Sequence, residues 1–188
     1  TYVAEARFVR AYYYFASVRT YGGVPIITVP LDDEYDGGEN AGLYIPRSTE
    51  KETWDFVLSE FQAAADALPE VRTDGSYRAN KWAALGLKSR AALYAASVSK
   101  YWKDAEISNS YEPVQKGLSY MKADYAADYY QQCIDASLEI INSGKFSLYG
   151  ANPANVSEAV KNLGDMFITK QDTEYIFAKF IFDTPPLQ

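Results

Sequence analysis

The chain has 188 residues, of which 48% are hydrophobic and 23% charged, so it can bury a core of its own and does not have the composition of a disordered protein. Its net charge of -7 speaks against a basic phosphate-binding face, and we expect no nucleic-acid partner. With no histidine and one cysteine, Cys133, it cannot form a Cys/His zinc cluster or an internal disulfide framework.

Apolar residues recur at helical spacing along four segments of the chain. These segments predict helices over residues 3–21, 49–68, 80–99 and 122–142. The second helix has the clearest start, because Thr49 and Glu52 stand at the spacing of a capping box. Short turns favour antiparallel packing of neighbouring helices. We therefore predict an all-α-dominated fold of helix pairs, interrupted by long loops.

The remaining segments are predicted with less regular structure. A short helix is expected over residues 157–163, after the stop signal formed by Asn142, Ser143 and Gly144. Residues 174–182 are rich in β-formers and alternate in part, which predicts a little β-structure at the C-terminal end. The chain starts with Thr1 directly before a helix, and we interpret residues 1–188 as a single helical scaffold fragment of a larger protein.

An acidic loop is the one segment with spacing that resembles a metal site. Asp32, Glu34 and Asp36 precede Gly37, as oxygen ligands precede the turn glycine of a calcium loop. The twelfth position of that count is Leu43, where a glutamate is needed, and no entering helix fits. We interpret the segment as a solvated acidic loop and expect neither a metal ion nor another cofactor.

Three candidate aromatic residues lie in the polar, non-helical segment predicted for residues 100–121, between the third and fourth helices. Tyr101, Trp102 and Tyr111 lie among polar side chains, and an aromatic ring beside hydrogen-bonding groups is suited to bind a sugar. These three residues are the candidate ligand-binding residues. In the alternative interpretation, the rings pack back on the third helix, since large rings are usually buried.

Several strings of the sequence, in order, resemble conserved blocks of the SusD/RagB family. They are AEARFVRAYYYF and YGGVP in residues 4–15 and 21–25, PRS in 46–48, AAL and LYAA in 83–85 and 93–96, IINSGKFSL in 140–148 and EYIF in 174–177. The first two strings are the most specific to that family, and together the blocks span nearly the whole chain.

The resemblance implies a tetratricopeptide-like helical scaffold within a nutrient-binding lipoprotein on the surface of the outer membrane. Members of the family capture oligosaccharides and pass them to a SusC-like TonB-dependent transporter, which is the implied partner. The lipid anchor and most of the family's sugar-binding residues are expected outside this chain. The implied function is binding without catalysis.

Two other classes of protein are alternatives for a chain of this kind, a peptide-binding adaptor and a glycoside hydrolase. A tetratricopeptide-type adaptor would bind peptides without affinity for sugars. Such an adaptor is built from regular helical repeats, whereas this chain has long irregular segments between its helices. A glycoside hydrolase needs two carboxylates set across a cleft, and no pair among the 25 acidic residues is singled out by its sequence position.

Overall fold

A computed structural model describes residues 1–31, 43–72, 78–104, 110–169 and 173–177, and these residues are mostly helical. The helices are α1 (Tyr2–Tyr21), α2 (Glu50–Ala67), α3 (Lys81–Tyr101), α4 (Glu112–Gln115), α5 (Ala126–Asn142) and α6 (Val156–Ile168). Single 3-10 turns cover Trp102–Asp104 and Ala123–Tyr125. No strand occurs within the described ranges. The predicted all-α architecture is confirmed.

The long helices pack side by side in chain order, α1 on α2, α2 on α3 and α3 on α5. The contacts at their ends make each neighbour antiparallel. The amide of Lys81, at the start of α3, donates to the carbonyl of Pro69, just past the end of α2 (3.0 Å). Ser99, near the end of α3, donates its hydroxyl to the carbonyl of Lys122, just before α5. The helix pairs predicted from the sequence are therefore present.

The core lies between these four helices. It contains Phe8 and Phe15 of α1 and Trp54 and Phe61 of α2, all buried. The central helix, α3, contributes mainly small side chains, which let α2 and α5 approach its backbone closely. These buried small residues are Ala83, Ala84, Ala91, Ala92, Ala95, Ala96 and Ser99.

A capping box that is recognisable in the sequence determines where α2 starts. The Thr49 hydroxyl accepts from the amide of Glu52 (3.2 Å), and the Glu52 carboxylate accepts from the amide of Thr49 (2.8 Å). The predicted capping box is thus formed, and its hydrogen bonds lower the pKa of Glu52. It fixes where α2 begins, and therefore where Glu50 lies.

Two helical boundaries differ from the prediction. Tyr101 and Trp102 were placed in a non-helical excursion, but Tyr101 is the last residue of α3 and Trp102 begins the following 3-10 turn. The helix continues because buried Ser99 keeps its inner face in the core. The short helix predicted for 157–163 also extends to Ile168, past Gly164, from an Asn155 cap.

Two predicted features fall wholly or partly outside the described residues. Asp32, Glu34 and Asp36 all lie outside them. Of the predicted C-terminal strand, residues 174–177 are described and form a turn and bend, whereas residues 178–182 are not described. Among the described residues, no group of three or more potential metal-ligating side chains comes together. No helix in the described part of the chain has the length and apolarity needed to cross a membrane.

Candidate ligand-binding site

A cavity of about 400 Å³ opens where the end of α1, the start of α2 and the end of α3 meet. Its volume falls in the range of small-molecule pockets. The lining combines aromatic rings, hydroxyl groups and two opposite charges. The lining residues are Val18, Arg19, Thr20, Tyr21, Gly22, Glu50, Val98, Tyr101, Trp102 and Ser119.

A close backbone crossing at Gly23 holds the end of α1, the start of α2 and the segment after α4 together. The amide of Gly23 donates to the carbonyl of Leu118 (2.7 Å), and the amide of Glu50 donates to the carbonyl of Gly117 (2.8 Å). Arg47 donates from Nε to the carbonyl of Gly23 (2.8 Å) and from Nη2 to that of Tyr21 (2.7 Å). The YGGVP string therefore contributes Tyr21 and Gly22 to the cavity lining, while its Gly23 makes the crossing beside the cavity.

Tyr101 and Trp102 form the aromatic side of the cavity. Tyr101 is 55% exposed, and the Lys100 ammonium lies 5.1 Å from its ring centroid. Trp102 is half-buried and packs against the core, and its Nε1 is buried with no hydrogen-bond partner among the described residues. Tyr101 thus offers a ring that a ligand can reach, while Trp102 supports the wall from behind.

Glu50 is the most deeply buried charged group of the cavity, at 6% exposure. Its Oε1 accepts a long hydrogen bond from Trp54 Nε1 (3.4 Å), and its carboxylate also accepts from the backbone of Tyr120. Burial raises the pKa of this carboxyl, and the two hydrogen bonds oppose that shift. The structure therefore places a desolvated acceptor in the cavity wall.

Arg19 supplies the opposite charge. Its guanidinium carbon lies 4.7 Å from the ring centroid of Phe15 and 5.4 Å from that of Tyr94. These contacts position the cation without using its N–H donors. Within the described residues neither Arg19 nor Glu50 takes part in a salt bridge.

The three candidate residues from the sequence are not all brought together. Tyr101 and Trp102 share the cavity, whereas Tyr111, 61% exposed at the N-terminus of α4, is absent from its lining. Arg19 and Glu50 were not predicted as site residues from the sequence, because each reaches the cavity only through the packing of distant helix ends.

Comparison with known proteins places this fold in a family. Residues 2–93 match the SusD-like family model described as starch-binding and associating with the outer membrane. A SusD-like protein of Formosa agariphila is 34% identical over 93 residues, which are 50% of this chain and 17% of that protein. The chain belongs to the SusD-like family.

Solved SusD-like structures share the arrangement of helices. A SusD-like protein of Bacteroides fragilis superposes with a TM-score of 0.60 at 25% identity, over 93% of this chain and 26% of that one. A SusD homologue of Bacteroides thetaiotaomicron gives a TM-score of 0.54 at 25% identity, over 78% of this chain and 23% of that one. This SusD-like chain thus spans about a quarter or less of the length of these relatives.

Proposed function

We propose that this chain is the helical scaffold of a cell-surface glycan-binding lipoprotein, which captures oligosaccharides and delivers them to a SusC-like TonB-dependent transporter in the outer membrane. The family description as starch-binding and outer-membrane-associated supports glycan binding at that membrane. The chain spans about a quarter of the length of its structural relatives, which supports residues 1–188 being part of a larger protein, and the packed helices support a scaffold role for this part.

The single observation that carries glycan binding is the cavity beside Tyr101 and Trp102. An aromatic ring face binds the apolar C–H face of a sugar, and neighbouring polar groups bind its hydroxyls. The cavity contains both kinds of group. Tyr111 stays a candidate for a separate contact, since its ring is exposed on the surface.

Binding without catalysis is the second part of the proposal. Glycoside hydrolysis uses two carboxyl groups, one on each side of the scissile bond. The described lining of the cavity includes one carboxylate, Glu50, and the chain has no histidine that could act as a general base. These observations support a protein that binds and releases a glycan without cleaving it.

Titration with maltohexaose, a soluble fragment of starch, tests the proposal. We expect it to quench tryptophan fluorescence, because Trp102 lies in the wall of the cavity. Trp102→Ala should abolish the quenching, whereas Trp82→Phe, at the other end of α3, should preserve it. An unchanged affinity in Trp102→Ala would remove Trp102 from the site, and release of shorter sugars by the purified protein would contradict binding without catalysis.

A further inference from the structure

The cavity holds two opposite charges that the described residues leave without ionic partners. The Glu50 carboxylate is almost fully buried, yet no cationic side chain in the described part of the chain lies within 4 Å of it. A buried carboxylate is stable only when hydrogen bonds compensate its lost hydration. A carboxylate has about four acceptor positions, and among the described residues Glu50 accepts from two donors, one of them at 3.4 Å.

A purely structural role does not require a charged group at this position. The hydrogen bond from the Tyr120 backbone ties Glu50 to the segment after α4, and the one from Trp54 lies within α2. A neutral glutamine of the same shape also has a side-chain oxygen that can accept hydrogen bonds from these donors. Burial raises the pKa of Glu50, so its charged form costs free energy of folding. An acceptor kept at such a cost in a cavity wall is suited to a ligand that donates hydrogen bonds.

Arg19 complements this acceptor with donors. Its guanidinium is held by the rings of Phe15 and Tyr94, and such contacts leave its five N–H donors free for acceptors. Adjacent hydroxyls of a sugar ring can donate to a carboxylate and accept from a guanidinium, and both kinds of hydrogen bond are strengthened by the charge.

We propose that Glu50 and Arg19 bind adjacent hydroxyl groups of one uncharged sugar ring, whose apolar face lies against Tyr101. This assignment rests on the proposed glycan-binding function and adds the class of sugar to it. The described lining of the cavity carries one carboxylate and one guanidinium, whose opposite charges cancel, so it does not favour a sugar with a net charge. A neutral ring can hydrogen-bond to both groups through its hydroxyls.

Calorimetric titration of the 188-residue chain with maltohexaose tests the two residues. We expect Glu50→Gln and Arg19→Gln each to weaken binding at least about tenfold, the loss typical of a hydrogen bond to a charged group. The matched controls Glu112→Gln and Arg90→Gln change exposed residues outside the cavity and should bind within about twofold of the original chain. Glu50→Gln should unfold at the same temperature or higher, because it removes a desolvated charge, so its loss of affinity cannot be ascribed to unfolding.

The outcomes separate this assignment from the proposed function. If maltohexaose binds and quenches Trp102 while both cavity variants retain the original affinity, the Glu50–Arg19 assignment is overturned and the proposed function stands. If the original chain binds no maltohexaose, both are overturned. Ligand-observed NMR with glucose, glucuronate and glucosamine tests the sugar class: we expect the strongest saturation transfer to glucose, and preferential binding of either charged sugar would overturn the assignment.

Discussion

Replacing Gly23 with alanine is expected to lower the free energy of unfolding by about 3 kcal/mol, as overpacking of a rigid contact does. A Cβ at Gly23 would lie 2.6 Å from the carbonyl carbon of Thr49 and 2.8 Å from the amide nitrogen of Glu50, and closer still to the carbonyl oxygen of Ser48. All three atoms belong to the backbone, so no side chain can rotate away. The start of α2 must shift, and Glu50 with it.

The matched control for this substitution is Gly164→Ala in α6. Outside its own helical turn, a Cβ at Gly164 would meet no atom of the described residues within 4 Å, and alanine favours a helix over glycine by about 1 kcal/mol. Urea denaturation should therefore show a large loss of stability at position 23 and a small gain at position 164. A Gly23→Ala variant as stable as the original chain would refute the close backbone crossing beside the cavity.

Replacing Phe61 with alanine is expected to cost about 3–5 kcal/mol of stability, the usual loss for a buried phenylalanine. Phe61 is fully buried on the inner face of α2 and meets the ring of Phe8 edge-on, with centroids 5.9 Å apart. The alanine would lose this contact and leave a cavity between α1 and α2. Because these two helices contribute to the site through Arg19 and Glu50, sugar affinity should fall as the variant unfolds.

Phe167→Ala provides the control for Phe61→Ala, since it deletes the same atoms from a ring that is 71% exposed on α6. Its stability should change by no more than about 0.5 kcal/mol, as is usual for surface substitutions. Equal losses at both positions would contradict the assignment of Phe61 to the core and of α6 to the surface.

The helices could be predicted from the sequence because their apolar faces repeat within each segment. The capping box of Thr49 and Glu52 is a local pattern of four residues and was predicted correctly for the same reason. The end of α3 was predicted two residues early, at Ser99, because the residues after it show no clear apolar period, whereas in the structure Ser99 is buried and donates its hydroxyl to the carbonyl of Lys122. Tertiary contacts overrode the local signal there.

The site was predictable only in its aromatic part. Tyr101 and Trp102 were predicted as ligand-binding residues because aromatic residues among polar ones are conspicuous in a sequence, and the structure brings both to one cavity, where their role stays a prediction. Arg19 and Glu50 stand 31 positions apart on different helices, and each has an ordinary local explanation, as a residue beside the apolar stripe or in the first turn of a helix. Only the crossing at Gly23 brings them to one cavity.

The three indole N–H signals in an NMR spectrum of the chain, recorded during titration with maltohexaose, test the central claim that the cavity binds a glycan. Trp102 lines the cavity, Trp54 donates to Glu50, and Trp82 lies about 30 Å from Trp102 at the other end of α3, by the rise of 1.5 Å per helical residue. We expect the Trp102 signal to shift most, that of Trp54 less, and that of Trp82 not at all. A shift of Trp82 without Trp102, or three unchanged signals at saturating glycan, would contradict the claim.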